Sequence, residues 1–349
     1  MPSYFRPELK KVFGYHLDQP AYSVKLNQNE SPWDLPSSIK SVILQKLEEA
    51  SWNRYPLPYT DDLCKKIADS FGHDPEGIIV TNGSNNLVKE LILIANTKRP
   101  VLTVTPSFSL YEMESKLLGR PVVTVPLRDD FSLDLKLFLK TAQKIKPALI
   151  FIANPNAPTG NLFPEEDLLE IIKKTKALVV IDEAYFQFSG KTLLPHLPRF
   201  PNLVLLQTFS KAFSLAGARV GYALCHPHVA KELQKILLPF AINLFSKVVI
   251  ETILGHQSWV AEKAREVVNE RERLFGEMQK IKAITPYRST ANFILFRTKE
   301  SQTLYKKLTT KGILIRDVSN KKTLKNCLRV SVGTVKENDQ FLKALHSSL

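Results

Sequence analysis

The sequence predicts an α/β fold: a mostly parallel central sheet with helices on both faces, followed by a smaller α+β region. Between about residues 76 and 225, short apolar runs at 78–81, 101–105, 122–125, 148–153, 177–182, 203–208 and 220–224 alternate with amphipathic segments. Strands that cross over through helices, and so run parallel, give this pattern. Runs such as Ala177-Leu178-Val179-Val180-Ile181 are apolar at every position, as strands buried on both faces require. Beyond Ser246 the pattern becomes one long helix reaching towards Lys280, then strands near 292–296, 313–315 and 328–332 with helices between and after.

The residues able to do chemistry fall at the ends of these runs. In Thr208-Phe209-Ser210-Lys211-Ala212-Phe213-Ser214-Leu215-Ala216-Gly217-Ala218-Arg219, a serine–lysine pair precedes an arginine amid small apolar residues. A lysine amine condenses with a carbonyl, a serine hydroxyl donates to a phosphate oxygen, and an arginine fork matches phosphate. The segment therefore suits a phosphorylated aldehyde, although a lone Ser-Lys pair is far more often part of an exposed loop. Asp182 closes the run 177–182 and begins Asp182-Glu183-Ala184-Tyr185, so an acid and a phenol emerge where open α/β sheets bind ligands. A helix N-cap is the plainer alternative for Asp182.

Thr81-Asn82-Gly83-Ser84-Asn85 follows the first strand and opens the helical run 87–95. Gly83 permits the tight turn, and the amides of Ser84 and Asn85 point from a helix N-terminus at an anion. A capped helix is the equally good local reading. No Gly-x-Gly-x-x-Gly stands at a strand-to-helix turn, which counts against a dinucleotide-binding domain.

These segments are joined by Lys25-Leu26-Asn27-Gln28-Asn29-Glu30-Ser31-Pro32, Arg54-Tyr55-Pro56, Asn154-Pro155-Asn156-Ala157-Pro158-Thr159-Gly160 and Cys327-Leu328-Arg329-Val330-Ser331-Val332-Gly333-Thr334. In this order and spacing the chain resembles, almost from end to end, the fold type I, pyridoxal phosphate-dependent aminotransferases of class I/II. Within that group it is most similar to the histidinol-phosphate aminotransferases. The resemblance implies an N-terminal segment, 1–35, against the pocket and the small domain, a large cofactor-binding domain, 36–250, and a small C-terminal domain, 251–349.

It also implies roles. Lys211 would hold the aldehyde of pyridoxal 5'-phosphate and then act as acid–base catalyst, Asp182 would keep the pyridine nitrogen protonated, and Tyr185 would meet the ring's phenolate oxygen. Ser84, Asn85, Ser210 and Arg219 would take the cofactor phosphate, and Phe108 would stack on the ring. Tyr55 would cross to the partner subunit's cofactor, so that the site is complete only in a homodimer. From the residues alone, Phe108 also reads as a core side chain and Tyr55 as a turn anchor. The resemblance places asparagine directly before Pro-Thr-Gly in relatives; Ala157 stands there, so the adjacent Asn156, or Asn154 near it, is the candidate stand-in, and Asn154-Pro155-Asn156 reads equally as turn chemistry.

Arg329 and Arg316 would grip the substrate's anionic group, with Asn29 and Tyr22 lining that end; a surface ion pair with Asp317 is the alternative for Arg316. The implied reaction interconverts L-histidinol phosphate and 2-oxoglutarate with imidazole acetol phosphate and L-glutamate, in histidine biosynthesis, without a metal. An aromatic amino-acid aminotransferase or a phosphothreonine decarboxylase would share the machinery. A non-catalytic scaffold would have no need of Lys211, Asp182, Tyr185 and Arg219 together.

Composition fits an ordinary globular protein: 349 residues, 44% hydrophobic and 23% charged, enough for a substantial core. Cys64, Cys225 and Cys327 are scattered, without metal-ligand spacing or a disulfide framework, which points to a reducing cytoplasm. Neither a signal peptide core nor a membrane-spanning run is evident. The net charge of +14 comes from dispersed pairs such as Lys173-Lys174, Lys306-Lys307 and Lys321-Lys322. These read as solvated faces, not a nucleic-acid or membrane surface, although the field favours a phosphorylated substrate.

Overall fold

The computed structural model describes residue 4, residues 20–319 and residues 322–349. The expectations placed on the first residues of the chain and on Lys321 lie outside these. The strands are β1 (Val24–Lys25), β2 (Ile78–Thr81), β3 (Val101–Thr105), β4 (Val122–Pro126), β5 (Leu149–Ala153), β6 (Leu178–Asp182), β7 (Leu203–Thr208), β8 (Gly221–Cys225), β9 (Ile284–Pro286), β10 (Phe293–Thr298), β11 (Ile313–Leu314), β12 (Arg316–Asp317) and β13 (Cys327–Ser331). The helices are α1 (Ser37–Glu49), α2 (Asp61–Phe71), α3 (Ser84–Ile94), α4 (Ser109–Leu117), α5 (Leu135–Ile145), α6 (Glu165–Lys174), α7 (Phe186–Ser189), α8 (Pro227–Gln234), α9 (Leu244–Leu254), α10 (Gln257–Gln279), α11 (Ser301–Thr310) and α12 (Val335–His346).

Seven strands form the main sheet in the order β2-β8-β7-β6-β5-β3-β4, parallel except where β8 pairs with β2 and β7. Its apolar runs serve two cores because successive strand residues face opposite sides. Along β5, Ile150 and Ile152 enter one core, Leu149, Phe151 and Ala153 the other; along β7, Leu203 and Leu205 oppose Val204 and Leu206. Helices α3, α4 and α8 cover one face with Leu87, Leu91, Tyr111 and Leu233. Helices α1, α2, α5, α6 and α9 cover the other with Ile39, Ile67, Phe138, Leu168 and Ile250. Burial on both faces explains why alternation is invisible in these runs.

A third core lies between the four-stranded sheet β12-β13-β10-β9 and the helices α10, α11 and α12, with Ile294, Phe296, Leu328, Val330, Leu304 and Phe341. Helix α10 bridges the regions: Val260, Ala264 and Val267 join the first core, Leu274, Phe275 and Met278 the third. The short β1 pairs in parallel with β11, Val24 opposite Ile313, and carries Val24 and Leu26 into the third core.

Two expectations need correction. The single helix after Ser246 is two, α9 and α10, broken at Gly255 and His256. The His256 backbone leaves helical geometry (φ −122°, ψ 37°) and its ring Nδ1 lies 2.9 Å from the Thr252 carbonyl oxygen at the end of α9. The single strand near 313–315 is likewise two, β11 and β12, which join different sheets on either side of Ile315.

The topology brings the ends of several strands together. Gly221 at the start of β8 pairs with Thr81 at the end of β2 and with Thr208 at the end of β7, and Asp182 at the end of β6 pairs with Ala153 at the end of β5. The loops that leave these ends therefore surround one cleft. Leu205, fully buried in the middle of the sheet, tests the scaffold alone: Leu205→Ala should cost about 2–5 kcal/mol of stability, read from the urea unfolding midpoint.

Candidate active site

The cleft begins with an anion cradle. Helix α3 starts at Ser84, directly after Gly83 in a left-handed conformation (φ 82°), so its first amides have no partner within the helix and carry the positive end of its dipole. A Cβ on Gly221 would lie 2.2 Å from the Ser84 amide nitrogen, and one on Gly83 would lie 2.8 Å from Arg219 Nη2. Only glycine at both positions lets the two loops approach this closely. Arg219 itself has φ 54°, a conformation uncommon for a side-chain-bearing residue. Its Nη1 donates to the Ala216 carbonyl (3.0 Å) and to Ser210 Oγ (3.4 Å). Ser84, Ser210 and Arg219 thus converge; Asn85, the next residue of α3, is exposed.

Lys211 follows Ser210 directly. Its Nζ donates to the Gln28 carbonyl (3.0 Å), a residue of the N-terminal segment. Burial pushes the ammonium down to about 7, assisted by the charges of Arg329, Arg219 and Lys25 and opposed by Glu30. Near neutral pH the amine is therefore substantially uncharged and able to act as nucleophile and base. Glu30 is itself paired with Lys25.

Asp182, 7% exposed, has both carboxylate oxygens engaged. Oδ2 accepts from Tyr111 Oη (2.7 Å) and Oδ1 from the Ala184 amide (3.1 Å). Burial raises its pKa, while Tyr111, the Ala184 amide and the Lys211 charge pull it down. Next to it, Glu183 is buried and accepts from the Leu193 amide, Thr192 and Gln207; burial still pushes it up to about 7. Tyr185 accepts from Asn29 Nδ2 (2.9 Å), and Lys211 Nζ lies 5.8 Å from its ring centre. Asn29 has φ 54°, which asparagine tolerates, and its amide donates to Ser331 Oγ on β13 (2.8 Å).

At the other end, Arg316 and Arg329 are directly opposed on β12 and β13, so their side chains project from the same face. Arg329 Nη2 donates to the Asn27 carbonyl (2.9 Å), and its charge acts on both Lys211 and Tyr185. Phe108 is the residue before α4, half-buried beside Tyr111 with ring centres 5.5 Å apart.

Three candidates remain. Tyr22 is 48% exposed just ahead of β1. Tyr55 is 82% exposed and its ring rests 4.7 Å from that of Phe240, on the protein surface. Asn156 is fully buried with both amide hydrogens used inside its own loop region: Nδ2 donates to the Pro106 carbonyl (3.0 Å) and to Thr159 Oγ1 (2.7 Å), and Oδ1 accepts from Ser107 (2.9 Å). With both hydrogens held there, Asn156 has no N–H left for a cofactor oxygen.

Tyr111, Glu183 and Gln28 were missed from the sequence. Tyr111 had one available signal, its place one helical turn after Phe108 on the same face. The contact of Gln28 is through its backbone, which no side-chain pattern encodes.

An anion cradle at a helix N-terminus, an amine lowered to about 7 and a buried carboxylate at a strand end together fit a phosphorylated pyridine aldehyde. The fold and this site define a transaminase of the type that works through such a group, and the chain belongs to the class I and II aminotransferases, whose family model matches residues 22–345. It is similar to the histidinol-phosphate aminotransferase of Caldanaerobacter subterraneus subsp. tengcongensis, 36% identical over 99% of this chain and 98% of that one. It is also similar to that of Thermococcus kodakarensis, 39% identical over 97% of each. Among solved structures, the histidinol-phosphate aminotransferase of Sinorhizobium meliloti in complex with pyridoxal-5'-phosphate superposes with a TM-score of 0.89 and 25% identity, over 100% of this chain and 98% of that one.

Two outcomes follow from this geometry. Gly221→Ala drives a methyl group into the Ser84 backbone, and should cost at least about 1–3 kcal/mol in urea unfolding. Lys211 should also leave a linkage signature. Because its folded pKa, about 7, lies below its ordinary 10.5, the unfolded chain binds more protons between those values, and the lysine's penalty on the fold fades as pH rises. Lys211→Met should therefore melt higher than the parent at neutral pH in the cofactor-free protein, and the gap should narrow towards pH 10.5.

Proposed function

We propose that the protein is a pyridoxal phosphate-dependent transaminase that interconverts L-histidinol phosphate and 2-oxoglutarate with imidazole acetol phosphate and L-glutamate, in histidine biosynthesis. The observation that carries the reading is the Lys211 amine, lowered to about 7 by burial and by neighbouring cations, between an anion cradle on one side and the opposed Arg316 and Arg329 on the other. The cofactor, when bound, supplies an aldehyde to carry the amino group and an electron-poor ring to take up the electrons freed at the substrate's α-carbon.

This chain's residues do the rest. The Ser84 and Asn85 amides, Ser210 and Arg219 hold the cofactor phosphate. Asp182 keeps a proton on the pyridine nitrogen, and Tyr185 Oη, which accepts from Asn29, donates its own hydrogen to the ring's phenolic oxygen. Phe108 stacks on the ring. Lys211 Nζ takes the proton from the substrate's α-carbon and returns it later, as base and then acid. Arg316 and Arg329 bind the substrate phosphate, and Arg329 takes the α-carboxylate of glutamate in the other half-reaction, with Asn29 and Tyr22 nearby.

Tyr55 reaches the partner subunit's cofactor phosphate in a homodimer. This is supported by its near-complete exposure and by the neighbouring exposed apolar side chains Trp52, Leu57, Leu238 and Phe245. The cofactor belongs to the large domain, 36–250; the small domain, 251–349, and the N-terminal segment close over the substrate. Among the described residues no helix is long and apolar enough to cross a membrane. The three buried, unpaired cysteines support a reducing cytoplasm as the site of action.

The test is a visible absorption spectrum of the purified protein, followed by addition of L-histidinol phosphate or L-phenylalanine. Loss of the band at far lower histidinol phosphate concentration is the expected outcome. A response mainly to phenylalanine would reassign the substrate, and no band after added pyridoxal phosphate would refute the enzyme reading. Lys211→Ala should lower kcat by at least about 100-fold. Arg316→Ala should raise KM for histidinol phosphate by about ten- to 100-fold, the loss of a hydrogen bond to a charged group, while KM for glutamate changes less.

A further inference from the structure

Tyr111, on α4, is fully buried against the large sheet and, among the described residues, carries the one side-chain hydroxyl that donates to Asp182, at 2.7 Å. Its ring is held on two sides. It stacks on Phe151 of β5, with centres 4.8 Å apart and planes 5° from parallel, and meets Phe108 edge-on at 5.5 Å and 85°. Its amide donates to the Phe108 carbonyl (3.3 Å). Tyr111 is thus rigid before any ligand arrives, and it touches both the side chain assigned to the ring face and the carboxylate assigned to the ring nitrogen.

A buried phenol so placed has a cost unless its hydroxyl is bonded, and a hydrophobic phenylalanine would fill the same space. What the hydroxyl adds is a fixed donor to a carboxylate that burial otherwise drives towards its neutral form. Of the influences that keep Asp182 ionised, the Tyr111 hydrogen bond is the largest, ahead of the Ala184 amide and the Lys211 charge. The two bonds fall on different oxygens, so together they fix the plane of the carboxylate as well as its charge. The other titratable groups that act on Asp182 or feel it are Lys211, Tyr185 and Glu183.

We propose that Tyr111 is the positioning residue for the cofactor's acid: its hydroxyl holds the Asp182 carboxylate ionised and oriented, and its ring sets the edge against which Phe108 rests. The proposal rests on the reading above that Asp182 meets the pyridine nitrogen. It gives Tyr111 no contact with the substrate or the reacting atoms. Its effect should be transmitted through Asp182 alone.

The experiment is a pyridoxal phosphate titration of the cofactor-free protein, giving Kd for the parent, Tyr111→Phe, Asp182→Asn and the double variant. Tyr111→Phe keeps both ring contacts and removes only the donor. Its Kd relative to the parent should rise by up to about ten-fold at the acid end of the range in which the protein stays folded, and the ratio should shrink as the pH rises and Asp182 ionises without help. In the Asp182→Asn background the same substitution should change Kd by less than about two-fold, since the coupling runs through the missing carboxylate.

An equal factor in both backgrounds, or a factor that ignores pH, would overturn the positioning role and leave the cofactor reading standing. An Asp182→Asn chain that binds as tightly as the parent would overturn both. Should Tyr111→Phe fail to fold, 3-fluorotyrosine placed at position 111 alone occupies the same space with a more acidic hydroxyl. It should tighten binding at the lower pH, and weaker or unchanged binding would count against the proposal.

Discussion

The cleft depends on a side chain that is missing. Where β8 begins, Gly221 is paired between the last residues of β2 and β7, and the Ser84 amide nitrogen lies 2.2 Å from where its Cβ would be. Because β8 runs against both neighbours, the chain that leaves β7 at Thr208 must turn back within the 209–220 loop to enter it. That loop is therefore short of room and pressed against the turn after β2. The serine–lysine pair, Arg219 and the N-terminus of α3 meet for this reason. One antiparallel strand in an otherwise parallel neighbourhood converts two distant loops into one anion cradle.

Charge is distributed around that cradle in an unusual balance. Arg329, Arg219 and Lys25 all push the Lys211 proton off, and Glu30 alone among its named influences holds it on. Glu30 is already shared with Lys25. The cleft is thus electropositive before it binds anything, in a chain whose overall charge is +14, and it favours ligands that carry a negative charge at both ends. Carboxylates are present but recessed: Asp182 and Glu183 lie beneath the loops, each with its hydrogen-bonding partners supplied by the scaffold. The anionic groups are thereby held by the scaffold and not by the cations of the cleft.

The main sheet was legible because its strands are buried on both faces and interrupted by glycine, proline and polar turns; β2, β3 and β7 begin and end where the apolar runs do. The second half was less so. Val24–Lys25, Ile313–Leu314 and Arg316–Asp317 are two-residue strands, too short for any periodicity to develop; the first two exist only through each other, from opposite ends of the chain, and the third through β13. The long helix was misread because a single Gly255 is tolerated in helical patterns, and the break depends on how His256 turns back on Thr252. Within the site, Lys211, Asp182, Tyr185 and Arg219 stood out as residue types at strand ends. Tyr111 did not, because 71 residues separate it from Asp182 and a tyrosine on a helix face reads as core. Asn156 stood out within a turn motif, and its amide organises the turn around Pro106 and Thr159.

The N-terminal segment shows how far the two halves are bound together. Residues 24–31 touch β11 through Val24, β13 through Asn29 and Ser331, Arg329 through the Asn27 carbonyl, Lys211 through the Gln28 carbonyl, and Ser214 through Ser31. Asn292, at the entry to β10, donates back to the Asn29 carbonyl (3.0 Å). Most of these contacts are to backbone atoms, so they constrain where the segment runs more than which residues it carries. A displacement of the four-stranded sheet would move Arg316 and Arg329 and, through Asn27 to Asn29, the groups that touch Lys211 and Tyr185. Arg316 and Arg329 at one end of the cleft are therefore tied to the groups that touch Lys211 and Tyr185 at the other by eight residues of the N-terminal segment.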